Sequence, residues 1–127
     1  MAGTSIIDGR RRIVTFGQVR QIALAWRGVE EGTSYGTPAL KVRGKMLARL
    51  REDGDTLVVT GVGPDERAWL IESEPDVHYV TDHHAGWPIV LVRLSAAHPD
   101  AVKNLLLREW HAIVPAKWRD ERANGTN

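Results

Sequence analysis

The chain has 127 residues, a formal net charge of +1, 43% hydrophobic residues and no cysteine. These values are typical of a soluble globular protein with a core of its own, and they predict a single domain over residues 1–127. The lack of cysteine excludes disulfides, thiolate metal sites and a thiol nucleophile, and it fits a reducing cytoplasm. A net charge near zero argues against indiscriminate binding of nucleic acid, but a local cluster of cations can still bind phosphates.

The two ends of the chain are predicted to be mobile tails. Residues 1–12 show no periodicity and end in three arginines, and residues 119–127 are polar, so the ordered core is expected at about 14–115. The first residues also lack the continuous apolar segment of a secretory signal, and no run of about 18 apolar residues predicts a membrane span. We therefore expect a cytoplasmic protein without a membrane partner.

Three main helices are predicted from apolar residues at helical spacing. The first follows Thr15, a candidate N-cap, and ends at Gly28. The second covers about residues 64–73, where a proline in the first turn and two following acids favour a helix start. The third covers about residues 100–114 and ends before a proline.

Between these helices lie short segments typical of strands. They are predicted at residues 30–35, 38–51 (a hairpin), 56–62, 77–81 and 89–94. The last segment contains the unbroken apolar run IVLV, which indicates a central strand covered on both faces. This order predicts an α+β domain, with an antiparallel sheet of about five or six strands and three main helices packed on it.

The hairpin Pro38–Arg51 concentrates positive charge. Its even-numbered residues are mostly apolar, so a three-residue loop, Arg43-Gly44-Lys45, would put them on one face of both arms. The opposite face would hold Lys41, Arg49 and Arg51, together with the apolar Leu47. The candidate phosphate-binding residues are Lys41, Arg43, Lys45, Arg49 and Arg51.

Three interpretations of this basic hairpin stay open. Lysine and arginine on a strand can serve only to keep it solvated and to block edge pairing. They can instead bind the phosphates of a nucleic acid. They can also pair with acids of a neighbouring strand, for which Glu30, Glu31 and Asp55 are candidates.

Four other residues are candidates for ligand contact or stacking: Tyr35, His83, His84 and Trp87. Trp87 lies between Gly86 and Pro88, where an exposed ring could stack on a base. A metal site is not expected, because adjacent His83 and His84 would point to opposite faces of an extended chain. The sequence has no GxSxG, HExxH or GxxxxGK[ST] motif, so we expect neither an enzyme nor a bound cofactor.

From about Phe16 to Pro115 the chain resembles the MmcQ/YjbR family of small bacterial proteins. The resemblance rests on four segments: Gly36-Thr37-Pro38-Ala39 with Lys41-Val42, Gly44-Lys45, Val90 to Leu94, and the closing helix LLREWHAIVP. It implies a fold similar to the double-wing domain of a phage transcription factor, and by that analogy a DNA-binding role with Lys41 and Lys45 on a wing. Leu40, Leu47 and Ile89 stand where the family often has aromatic residues.

The leading functional hypothesis is a DNA-binding or nucleic-acid-associated accessory protein, a monomer or weak dimer, that binds phosphates through the basic hairpin. One alternative is a protein-interaction module with an acidic partner. Another is a small-molecule-binding protein with a pocket near Tyr35 and Trp87.

Overall fold

The structure is a computed structural model that describes residues 14–125, so the tail predicted at residues 1–12 lies outside the described part. Within that part there are two short 3-10 helices, Asp82–His84 and Leu94–Ala96. The longer elements follow the order α1 (Phe16–Leu24), β1 (Val29–Ser34), β2 (Thr37–Val42), β3 (Lys45–Leu50), β4 (Thr56–Thr60), α2 (Pro64–Ser73), β5 (His78–Tyr79), β6 (Ile89–Arg93), α3 (Pro99–Ile113) and α4 (Ala116–Gly125).

The six strands form one antiparallel sheet in the order β1-β2-β3-β4-β6-β5. The predicted α+β class and the antiparallel sheet are therefore confirmed. Strand β6 lies between β4 and β5, and the four residues of IVLV are all buried, as the unbroken apolar run indicated. The segment predicted as a strand at residues 77–81 pairs with β6 at His78 and Tyr79 alone.

The helix boundaries follow local signals in the sequence. Thr15 is the N-cap of α1, as predicted, and its side chain accepts a hydrogen bond from the backbone N–H of Gln18. The side chain of Gln18 in turn accepts one from the N–H of Thr15, which completes a capping box. Pro64 opens α2, where a missing N–H costs nothing.

The two faces of the sheet are covered differently. One face carries Leu40, Val59 and Val90 in the main core, against which α1 and α3 pack. The other face carries a smaller apolar cluster of Val58, Ile89 and Leu91, with Tyr79 at its side. Apolar residues thus lie on both faces of β4 and β6.

The hairpin departs from its prediction at the loop. Val42 pairs with Lys45, so the loop has two residues, Arg43 and Gly44, rather than three. Because a two-residue loop reverses the parity of the arms, a β-bulge is needed to restore it, and the register shifts between Leu40 and Lys41. The residue left over on β3 is Leu47, which is fully buried in the core rather than on the cationic face.

The tail predicted to be mobile from residue 119 forms part of a fourth helix. Helix α4 covers Ala116–Gly125, and the half-buried ring of Trp118 packs against the core. The side chain of Arg27 donates to Glu121 of α4 and its guanidinium lies over Trp118, with 4.3 Å between Cζ and the ring centroid. These contacts are long-range in sequence, which is why the polar composition of α4 did not reveal them. No helix in residues 14–125 is long and apolar enough to cross a membrane.

Candidate nucleic-acid interface

The tip of the β2–β3 hairpin is a tight, exposed turn. Both loop residues have positive φ, 52° at Arg43 and 80° at Gly44, as two-residue turns of type I′ require. Arg43 and Lys45 are exposed and Lys41 is half-buried. Among residues 14–125, these three cations have no carboxylate oxygen within 4.0 Å. We call Lys41, Arg43 and Lys45 the tip cations.

The three acids considered as partners for the hairpin have other surroundings. Glu31 pairs with Arg20, at 2.8 Å from its Nη2. Asp55 accepts hydrogen bonds from the backbone N–H and the hydroxyl of Ser95. Glu30 lies opposite Lys41 in the β1–β2 register, but it does not approach the ammonium within 4.0 Å. Burial raises the pKa of a further acid, Glu109, and the charges of Arg108 and Lys45 partly oppose this shift.

Arg49 is bound within the protein. Its Nη1 donates to the hydroxyl of Thr37 at 3.0 Å and lies 3.9 Å from a carboxylate oxygen of Glu52. Its Cζ lies 5.1 Å from the ring centroid of Tyr35, and its side chain is only 11% exposed. Tyr35 itself is 85% exposed. Arg49 is therefore positioned to orient Tyr35 rather than to reach a ligand.

His84 lies in a positively charged environment that includes Arg51. Burial lowers the pKa of His84 most, and the charges of His83, Arg51 and Arg49 lower it further. The Nδ1 of His84 shares a hydrogen bond of 2.9 Å with the hydroxyl of Thr81. The Nε of Arg51 is buried and has no hydrogen-bond partner among the described residues.

Arg67 of α2 anchors the loop that carries His83, His84 and Trp87 by hydrogen bonds to its backbone. Its guanidinium donates to three backbone carbonyls, those of Ala85 (2.9 Å), Trp87 (2.9 Å) and Ile89 (3.1 Å). The ring of Trp87 is 65% exposed. No local pattern in the sequence indicates this contact, because Arg67 is one of several charged residues predicted on α2.

The sheet topology brings some of the candidate residues together and separates others. Strand β6 begins at Ile89, which pairs with Thr60 at the end of β4, and the Thr60 hydroxyl donates to the carbonyl of Met46 beside the hairpin tip. Trp87 therefore lies near the end of the sheet that carries the tip cations. Tyr35, in the β1–β2 turn, lies at the opposite end of the strands, so the sheet does not place Tyr35 and Trp87 in one pocket.

Helix α4 packs at the tip end of the sheet. A Cβ atom on Gly28 would lie 2.7 Å from Trp118 and 3.4 Å from Val42, so α4 and the end of β2 meet at Gly28. Lys117, next to Trp118, is exposed. Residues 119–127 were predicted to be a mobile tail, so the packing of α4 against the turn at Gly28 was not expected.

No group of three or more His, Cys, Asp or Glu side chains within residues 14–125 is placed to hold a metal ion. The rings of His83 and His84 meet edge to face, with 4.9 Å between centroids. The chemistry available at the tip is therefore that of fixed positive charge with an exposed aromatic ring nearby, which suits an extended anion.

Comparison with known proteins gives a family and a fold. A family model described as YjbR matches residues 24–112. Among solved structures, the chain is similar to the crystal structure of the Deinococcus radiodurans protein DR2400, described as a DUF419 family-model domain. The TM-score is 0.70 at 17% sequence identity, and the match covers 93% of this chain and 99% of that chain. No curated protein matches the chain.

Proposed function

The chain belongs to the YjbR family, and we propose that it is a nucleic-acid-binding accessory protein that holds phosphates with the tip cations Lys41, Arg43 and Lys45. One observation carries this proposal. The tip cations have no carboxylate oxygen within 4.0 Å among the described residues, whereas Arg49 donates to Thr37 and lies 3.9 Å from a carboxylate oxygen of Glu52. The double-wing analogy of the family adds a fold-level reason to expect DNA.

The geometry of the tip suits a phosphate backbone. Arg43 and Lys45 lie on either side of Gly44 in a tight turn, and both side chains are exposed. Two positive charges are therefore close together at the tip. An arginine fork can bind one phosphate in a bidentate manner, and a nearby lysine can neutralise the next.

The proposal assigns phosphate binding to three of the five hairpin cations that the sequence suggested. Arg49 would have to leave Thr37 and Tyr35 to reach a phosphate, and its loss from that site would leave polar groups unpaired. Arg49 and Arg51 are thus expected to support the hairpin, and the tip is expected to make the contacts. Exposed Trp87, at the same end of the sheet, is positioned to meet a base where the nucleic acid is single-stranded.

The test is a titration of double-stranded and single-stranded DNA at several salt concentrations, with the wild type and with Arg43→Gln plus Lys45→Gln. Each phosphate contact contributes roughly 0.9 to the slope of log K against log salt on a duplex, so the double variant should lose about 2 from that slope. The matched control is Arg20→Gln plus Lys103→Gln, which removes the same charge from the helical side of the molecule.

Equal affinity and equal salt dependence in the tip variant and the control would overturn the proposal. So would a complete lack of binding by the wild type at low salt. If the wild type does not bind DNA but binds an acidic protein, and the tip variant loses that binding, the hairpin is a protein-interaction surface instead.

A further inference from the structure

A groove lies between α2 and α3, beside β5, and has a volume of about 370 Å³. This volume is at the lower end of the range of sites for one small molecule. The apolar part of its lining comes from Trp69 and Leu70 of α2 and from Ala101 and Leu105 of α3. The tip cations belong to the β2–β3 hairpin, so the proposed binding of nucleic acid does not use this groove.

The aromatic surface of the groove is open to a ligand. Trp69 is 63% exposed. Within residues 14–125, no lysine or arginine lies over its ring and no other aromatic ring packs on it. A cation that enters the groove can therefore reach the indole of Trp69, and indole attracts cations more strongly than the other aromatic side chains do.

One end of the groove is closed by an ion pair. Arg108 of α3 donates from Nη1 to the carboxylate of Glu66, which lies in the first turn of α2. Its Nη2 donates to the backbone carbonyl of Gly61 at 3.2 Å. The charges of Glu66 and Arg108 thus offset each other, and this end of the groove is close to neutral.

The other end of the groove carries a negative charge. Glu74, the C-cap residue of α2, lies about 12 Å from Glu66 along the helix. Its side chain is exposed, and in the described part of the chain no lysine or arginine nitrogen lies within 4.0 Å of its carboxylate. The groove therefore leads from a neutral end, past the indole of Trp69, to a carboxylate that has no close cation.

His78 lies at the bottom of the groove, at the end that holds Glu74. Its backbone N–H donates to the carbonyl of Glu74 at 3.0 Å. The side chain is 2% exposed, and its Nδ1 has no hydrogen-bond partner among the described residues. Burial lowers the pKa of His78 although the charge of Glu74 opposes this, so the ring does not repel a cation at neutral pH. A neutral imidazole accepts a hydrogen bond at one ring nitrogen, and an ammonium group at this end would bring N–H donors to it.

We infer that this groove binds a small primary alkylammonium ion, with its chain along Trp69 and Leu70 and its ammonium group at Glu74. A peptide backbone would need several hydrogen-bond partners, whereas the lining is mostly apolar or charged, with Asn104 as its one amide side chain. The occupant is therefore a free amine. The inference goes beyond the proposed nucleic-acid binding and does not depend on it.

The experiment is a titration followed by nuclear magnetic resonance, with three probes that share one alkyl chain and differ in charge: pentylamine, 1-pentanol and pentanoate. The readouts are the indole N–H signal of Trp69, identified by its loss in Trp69→Phe, and the backbone amides of the groove. Pentylamine should bind about tenfold more tightly than 1-pentanol, since a cation–π contact and an exposed ion pair together contribute about that factor. Pentanoate should bind most weakly.

Variants of α2 give the matched test. In Glu74→Gln the preference for the amine over the alcohol should fall to about threefold, because the cation–π contact alone remains. In Trp69→Leu it should fall to a similar value, because the ion pair alone remains. The control Glu72→Gln removes the same charge from the same helix outside the groove, and it should keep the tenfold preference. All three side chains are exposed, so the fold should be preserved.

The inference is overturned if pentylamine shifts no signal of the groove, if pentanoate binds as tightly as pentylamine, or if Glu72→Gln lowers the preference as much as Glu74→Gln does. A fourth probe is the methylamide of Nα-acetyllysine. If it binds more tightly than pentylamine, the occupant is the lysine side chain of a partner protein and not a free amine.

The tip variant Arg43→Gln plus Lys45→Gln separates this inference from the proposed function. It should bind pentylamine as the wild type does, because neither residue lines the groove. Failure of amine binding at the groove therefore leaves the proposal for the tip cations intact, and the reverse also holds.

Discussion

Gly28 and Trp118 are in direct contact, because a Cβ atom on Gly28 would lie 2.7 Å from Cζ3 of the tryptophan ring. The contact joins the turn after α1 to the last helix, 90 residues further along the chain. Gly28 also has a φ of 80°, so glycine is required there both for the backbone conformation and for the space.

This contact predicts a large effect for Gly28→Ala. The alanine must adopt a strained left-handed conformation, costing about 1–2 kcal/mol, and must also displace Trp118. The matched variant Gly44→Ala has the same φ of 80° but no atom within 4 Å of its Cβ. Urea denaturation should show a loss of stability for Gly28→Ala that exceeds the loss for Gly44→Ala by about 1–2 kcal/mol, the cost of overpacking. Equal losses would mean that α4 does not dock at Gly28.

The β-bulge predicts unequal losses of stability on truncation of two adjacent residues. Leu47 is fully buried and Met46 is half-buried, although simple alternation from the loop would place Leu47 outside. Leu47→Ala should cost about 2–4 kcal/mol through lost burial and a residual cavity, and Met46→Ala about 1 kcal/mol. Thermal or urea unfolding measures both, and a smaller cost at Leu47 than at Met46 would contradict the bulged register.

Arg67 is expected to control the mobility of the loop that carries His84 and Trp87. Replacing it with lysine keeps the charge but removes the planar fork that reaches three carbonyls. Arg67→Lys should destabilise the protein by about 1–3 kcal/mol and speed hydrogen exchange of the amides at residues 82–89. The control Arg20→Lys, in a surface pair with Glu31, should change stability by less than about 1 kcal/mol. Unchanged exchange in the loop would show that other contacts hold it.

His78 predicts a pH dependence of stability. Burial is the main cause of its lowered pKa, partly opposed by the charge of Glu74 and by backbone carbonyls of Glu74 and Leu70. Because the pKa in the folded state lies below the unfolded value of about 6.5, the unfolded state binds the proton more readily. The stabilising contribution is complete above about pH 6.5 and is lost as the pH falls towards the folded pKa.

The variant His78→Leu tests whether His78 causes this pH dependence of stability. It cannot be protonated, and it removes a buried Nδ1 that has no hydrogen-bond partner among the described residues. The decline in the free energy of unfolding between pH 6.5 and pH 5 should become shallower, and stability at pH 7.5 should stay equal or rise by about 1 kcal/mol. A decline as steep as that of the wild type would assign the pH dependence to other groups.

The sequence predicted the elements whose signals are local. The apolar run of β6, the N-cap at Thr15 and the proline at the start of α2 each act within a few residues, and each prediction was confirmed. The predicted length of the hairpin loop was wrong by one residue. The alternation of apolar residues cannot by itself distinguish a three-residue loop from a two-residue loop followed by a bulge. Both arrangements place Leu40 in the core, and only the environment of Leu47 tells them apart.

The candidate site was less accessible to sequence reasoning. Arg43 and Lys45 are exposed at the hairpin tip, but the contacts of Arg49 with Thr37 and Tyr35 depend on side chains that meet across two strands. The contact of Trp118 with Gly28 likewise joins two distant parts of the chain. Such contacts follow from tertiary packing, for which a single sequence contains no periodic signal.

The left-handed backbone at Arg43 has a consequence for how this protein tolerates change. Asparagine and glycine adopt a φ near 52° with less strain than arginine does, so the tip is not optimised for folding. Arg43→Asn is expected to make the protein more stable by up to about 1 kcal/mol and to remove one of the three tip cations. At this turn, the substitution that raises the stability of the fold also removes a positive charge from the tip. A screen for thermostable variants is expected to replace Arg43 readily, and a screen for retained binding is expected to restore it.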